Sequence, residues 1–262
     1  MVALNIVVME FLTPYSYVDV APNQHLFFLF FEARNVDPTT APLTLWMDGG
    51  PGDPSMISAF GSNGPCRINS DLEVEFNPFS WNNVSNMLYL DQPTQTGFSY
   101  SIPINGWVDP DSGSLISLPD ATCPDYAPEG SCGTYSNGNY SLTADSTNSA
   151  APNVWKAVQG FMGAFPQYSR CNITIGTESY GGHYGPVFAE YFEQMADAKN
   201  VSGAQAVRVH SLMINNGWYD PIIQYPSCKL NSRPKTCVEL NDLTINRLYV
   251  HCQQHLPAWP WI

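Results

Sequence analysis

Two short stretches of this 262-residue chain are built alike. "APLTLWMDGGPG", residues 41 to 52, and "NMLYLDQP", residues 86 to 93, are each an apolar run that meets an acid and breaks into a Gly or Pro turn. An apolar run of that length, bounded by turn residues, reads as a strand buried on both faces, and such strands belong to parallel sheets covered by helices. "HLFFLFFEARN" (25–35), "CNITIG" (171–176) and "AVRVHSLMINNG" (206–217) read as further strands. Between them lie helical spacings: Val154, Val158, Phe161 and Phe165, then Val187, Tyr191 and Met195. Strands alternating with amphipathic helices predict an α/β fold with a mostly parallel central sheet. The opening "MVALNIVVMEFL" suits a signal remnant or an edge strand, and we read it as a strand.

Composition narrows the function. Acids outnumber bases 23 to 10, for a net charge of −13. Such a surface repels phosphate backbones, so nucleic acid is an unsuitable partner. No apolar run approaches the roughly 18 residues of a membrane span, so no membrane partner is expected. The seven cysteines form no CxxC pair, and nothing in the chain asks for a metal or another cofactor. Four N-x-[ST] sequons, at Asn83, Asn139, Asn172 and Asn200, together with scattered cysteines, point to the secretory pathway. Cys123 with Cys132, and Cys228 with Cys237, are spaced to close short loops. Residues 101–140, rich in Pro, Gly, Ser and Asp, read as a surface excursion that is functional or inserted.

"TESYGGHYGP", residues 177 to 186, places Ser179 between a strand and a helix. That is the setting of a nucleophile elbow, whose bend lifts a hydroxyl above the sheet. Thr177 stands at the first glycine of the usual G-x-S-x-G pattern. Taken alone, the stretch suits a helix cap as well as a nucleophile. The "MDGGPG" turn tips the balance, because a Gly-Gly turn at a strand end aims a backbone N–H at an oxyanion.

"LWMDGGPG", "NGPC" (63–66), "LYLDQPTQTGFSYS" (88–101), "TESYGGHYGP" and "NNGWYDPIIQYP" (215–226) resemble, in order and spacing, the serine carboxypeptidases, and fungal members in particular. The resemblance implies an α/β-hydrolase fold. It implies removal of C-terminal residues from peptides or proteins at acid pH, through an acyl-enzyme, in vacuoles, lysosomes or outside the cell. It assigns Ser179 as nucleophile and Gly50 and Tyr180 as the oxyanion-hole amides. It assigns Asp48, Gly49 and Glu178 to the substrate's terminal carboxylate. Three positions depart from the family. Asp48 replaces an asparagine, Ser62 a glutamate, and Asp53 a cysteine.

The resemblance also implies an Asp and a His beyond the nucleophile. Only 83 residues follow Ser179, and neither motif is found among them. His183 frames the turn, His210 falls in a strand, and His251 and His255 lie in an unpatterned tail. Asp220 matches a turn of the family rather than a catalytic acid. The expectation is an incomplete fold. Residues 1–226 would form the N-terminal part of the hydrolase domain, the last strands would be missing, and 227–262 remain unassigned. The missing groups would sit on a second chain or on lost sequence, or the chain is a truncated gene model whose unpatterned tail is translated non-coding sequence, and we favour truncation. Otherwise the chain is a non-catalytic secreted peptide-binding or structural protein of the same fold.

Overall fold

The computed structural model describes residues 15–198 and 203–225. The opening segment read as a strand, the Asn200 sequon, the Cys228–Cys237 pairing and the tail lie outside the described residues.

The chain opens on a hairpin, β1 (Tyr15–Ala21) and β2 (Gln24–Phe31), followed by β3 (Leu43–Met47). A short helix, α1 (Met56–Gly61), and a small hairpin, β4 (Cys66–Ile68) with β5 (Val74–Phe76), lead to β6 (Asn86–Leu90). Then come β7 (Pro103–Val108), β8 (Leu115–Ser117) and β9 (Cys132–Ser136). The long helix α2 (Thr147–Ala164), β10 (Asn172–Glu178), α3 (Gly181–Asp197) and β11 (Arg208–Asn215) complete the first of two compact units, Met1–Trp218.

The central sheet has the order β1-β2-β6-β3-β10-β11. The four strands from β6 to β11 run parallel, and the hairpin adds two antiparallel strands at one edge. Period-two alternation along β2 decides which face each ring takes. Leu26, Phe28 and Phe30 join Leu43, Leu45, Leu88 and Ile175 under α2 and α3. Phe27, Leu29 and Phe31 join Trp46, Met87 and Tyr89 on the other face, against Ala59 of α1 and Trp81. Every residue of β3 and β6 is buried, as two covered faces require.

Both long helices differ from the sequence expectation. α2 starts at Thr147, ahead of the apolar spacing, because Ser146 accepts from Ser149 N–H in a reciprocal capping box. Pro152 sits inside it and Pro186 sits inside α3. Each proline frees only one carbonyl near its helix start, and burial of the apolar face outweighs that loss. In α3 the fully buried stripe is Tyr184, Phe188 and Phe192. Val187, Tyr191 and Met195, the residues singled out by spacing, flank it and are partly buried. The stripe facing a sheet is wider than one row, so spacing alone finds the helix but not its centre line.

Residues 101–140 lack a readable period, yet they form a separate three-stranded antiparallel sheet, β8-β7-β9, with Cys123 and Cys132 joined by a disulfide. In the second unit, Tyr219–Ile262, the described residues form one helical turn. Asp220 caps it, with its Oδ1 accepting from Ile222 N–H at 2.9 Å.

Candidate active site

β10 delivers Ser179 to the end of the sheet, where its backbone takes φ +57° before α3 begins. This left-handed conformation is uncommon outside glycine and marks strain held by surroundings. The surroundings are visible. Ser179 N–H donates to Asn215 O at 3.0 Å. Its carbonyl accepts from Gly182 N–H at 3.0 Å and Trp218 N–H at 2.7 Å. The side chain is left exposed at the strand tip.

Thr177, the departure from the usual glycine, is fully buried and donates to Gly181 O at 3.1 Å. A Cβ on Gly181 would stand 2.4 Å from the Thr177 side chain. The glycine that the pattern lacks before the serine is thus matched by space two residues after it.

β3 is the direct neighbour of β10, so the "MDGGPG" turn arrives beside the elbow. A Cβ on Gly49 would lie 2.5 Å from Glu178 O, 2.6 Å from Tyr180 N and 2.9 Å from Ser179 Cβ. Only a residue without a side chain lets the two turns approach so closely. Gly50 follows at φ +99°. Tyr180 is the N-cap of α3, so its amide stands with the N–H groups of a helix start, which favour negative charge. Its ring packs against His183, Tyr184 and Trp218.

Asp48 is buried, and both of its oxygens are occupied. Oδ1 accepts from Trp46 Nε1 at 3.0 Å and from Ser58 Oγ at 2.5 Å, and Oδ2 accepts from Ser58 N–H at 3.1 Å. Burial pushes its carboxyl up to about 6, while the Ser58 and Trp46 hydrogen bonds oppose the rise. The Glu178 charge adds slightly to it. Glu178 is half-buried and accepts from Asn215 Nδ2 at 3.2 Å.

A second strand-end acid carries no assignment from the family resemblance. Asp91, at the end of β6, is completely buried and accepts from Ser55 N–H at 2.8 Å and Phe98 N–H at 3.0 Å. Burial pushes it, too, up to about 6, against the pull of backbone donors. Asp48 and Asp91 therefore hold α1 between them. The repeated strand–acid–turn design was the visible signal for this pair. Ser55, Ser58, Asn63 and Asn215 had no such signal, because only tertiary contact brings them to the site.

The described sequons differ. Asn139 and Asn172 are exposed. Asn83 is half-buried, with Oδ1 accepting from Arg34 Nε at 2.5 Å and Nδ2 donating to Pro78 O at 2.8 Å. Among the described residues no helix is long and apolar enough to cross a membrane, and no cluster of three or more His, Cys, Asp or Glu is placed to hold a metal ion.

The sequence model of the serine carboxypeptidase family matches residues 8–256, a span that extends into the segment left unassigned at 227–262. Carboxypeptidase S1 of Penicillium janthinellum is 41% identical over 213 residues, covering 80% of this chain and 41% of that protein. Carboxypeptidase S1 homolog A of Arthroderma otae is 41% identical over 220 residues, 79% of this chain and 34% of that one. Serine carboxypeptidase S10 family member 1 of Dictyostelium discoideum is 34% identical over 94% of this chain and 50% of its own length. The crystal structure of KEX1(delta)p, a prohormone-processing carboxypeptidase of Saccharomyces cerevisiae, superposes with a TM-score of 0.65 at 23% identity, over 92% of this chain and 47% of that one. The fold is that of the α/β-hydrolases. The chain spans between a third and a half of the length of these curated relatives. With its fold and family signature in agreement, the chain belongs to the serine carboxypeptidase family.

Proposed function

We propose that this chain carries the nucleophile half of a serine carboxypeptidase site. The observation that bears most weight is the contact between the Gly49 turn and the strained Ser179 elbow. It puts two turns with oxyanion chemistry within van der Waals distance. In this reading Ser179 Oγ attacks the carbonyl of the last peptide bond. The Gly50 and Tyr180 N–H groups take the charge that develops on its oxygen. A histidine accepts the serine proton and gives it to the departing amino acid, leaving an acyl-enzyme that water cleaves. Asp48, Gly49 and Glu178 border the space for the substrate's terminal carboxylate. A carboxyl raised to about 6, as Asp48 is, favours work at acid pH, where it stays neutral beside an anion.

No histidine is assigned as the base. Among the described residues, His183 lies in the first turn of α3, tilted against the Tyr180 ring and edge-on to Trp218, and no hydrogen bond joins it to Ser179. The relatives that the chain matches lend no support to a separate second chain as donor of the histidine and its acid. Placement in the secretory pathway, outside the cell or in a vacuole, is supported by the Cys123–Cys132 disulfide and by the exposed sequons at Asn139 and Asn172.

A fluorophosphonate probe tests the reading, compared between the chain and Ser179→Ala. Labelling at Ser179, together with release of a C-terminal amino acid from a blocked dipeptide at about pH 5, supports catalysis by this chain. Equal, negligible signals would leave a peptide-binding protein of the same fold.

A further inference from the structure

The ladder between β3 and β6 stops just short of the "MDGGPG" turn, with Trp46 and Tyr89 as its last pair. Asp91 N–H donates to Phe27 O of β2, so the Leu90 carbonyl faces β3. In that register the next ladder bond would join Asp48 N–H to Leu90 O. A side chain stands in its place. Ser55 Oγ accepts from Asp48 N–H at 3.2 Å and donates to Leu90 O at 2.6 Å.

Ser55 is fully buried and is the N-cap of α1. An N-cap serine ordinarily accepts from N–H groups of its own helix, yet Ser55 makes no such bond. Two acids serve the helix start instead. Asp91 Oδ1 accepts from Ser55 N–H at 2.8 Å, and Asp48 Oδ2 accepts from Ser58 N–H at 3.1 Å. The hydroxyl is thereby left to the sheet. A ladder would hold the Asp48 nitrogen and the Leu90 oxygen about 2.9 Å apart. With an oxygen atom bonded between them they stand farther apart, and β3 parts from β6 at Asp48. The next residue is Gly49, whose missing side chain lets it meet Glu178, Ser179 and Tyr180 on the other side.

We propose that Ser55 is a positioning residue, a hydroxyl wedge that parts β3 from β6 and so directs the Gly49–Gly50 turn toward Ser179. Being buried, it acts through the backbone and not by contact with substrate. The functional half of the proposal rests on the carboxypeptidase reading above. The placement of the turn is tested without it.

The full chain is compared with Ser55→Ala, Ser55→Cys and a control, Val158→Ala. Val158 is buried in the core under α2, so its truncation lowers stability away from the turn. Nuclear magnetic resonance of the folded chains reads hydrogen exchange at the Asp48 amide and the backbone signals of Gly49 and Gly50. Fluorophosphonate labelling reads Ser179. Ser55→Ala is expected to speed Asp48 exchange about tenfold beyond the control. It should shift both glycine signals, which the control leaves in place, and slow labelling by about tenfold to a hundredfold. Ser55→Cys keeps most of the volume but hydrogen-bonds weakly, so it should behave alike, and it decides if Ser55→Ala does not fold. Asp48 exchange and glycine signals no different from the control would overturn the proposal, and so would undiminished labelling beside shifted glycine signals. A wild-type chain that takes no label would count against the catalytic reading alone, and the exchange and glycine signals would still decide whether Ser55 sets the turn.

Discussion

Replacing Asp48 by Asn should change how stability depends on pH more than it changes stability itself. Burial lifts the Asp48 carboxyl from 3.8 to about 6 in the folded chain. The folded state therefore holds a proton that the unfolded state has already released across that window. The sign follows. Stability is full below about pH 4 and is lost as pH rises through about 6. Roughly two pKa units at 1.36 kcal/mol each make the loss about 3 kcal/mol. An amide does not titrate, so this slope vanishes in Asp48→Asn. The amide nitrogen cannot accept, so one donor, Trp46 Nε1 or Ser58 N–H, is left facing it, at a cost of about 1–3 kcal/mol. The variant is thus less stable than wild type near pH 4 and equal or more stable near pH 7. Urea unfolding at four pH values across that interval, followed by tryptophan fluorescence, gives both curves. Parallel curves would refute the reasoning, because Asp48 would then titrate alike in the folded and unfolded chain.

Gly49→Ala should abolish probe labelling at Ser179 and destabilise the chain by about 1–3 kcal/mol, since the new Cβ meets Glu178 O and Tyr180 N below 3 Å. Retained labelling would show that the two turns need not touch. Gly181→Ala should be similarly destabilising, and Thr177→Gly should restore much of the loss, as the added methyl strikes Thr177 at 2.4 Å; additive unfolding energies would contradict that coupling. Expressed through a eukaryotic secretory route, the chain should lose one glycan's mass in Asn139→Gln and none in Asn83→Gln. The latter should instead lower the unfolding temperature, because the Asn83 amide links Arg34 to Pro78.

The amino-acid order alone determined the parallel strands of the central sheet, and for a local reason, whereas β7, β8 and β9 carried no readable period. "LTLWM" and "NMLYL" are apolar throughout and end in turn residues, which leaves them no stable form but strands covered on both faces. The elbow was equally legible, since strand, serine, paired glycines and amphipathic helix follow one another within a few residues. Which residues meet at the elbow was decided by the tertiary structure. β3 and β10 are more than a hundred residues apart in the chain, and only their pairing brings Gly49 against Tyr180. Thr177 looked like a defect in the motif until its packing against Gly181 accounted for it. Asp48 and Asp91 are ordinary acids on paper, and burial beside α1 makes them weak ones. Periodicity and turn chemistry are properties of adjacent residues, whereas desolvation and hydrogen-bond satisfaction belong to the packed whole.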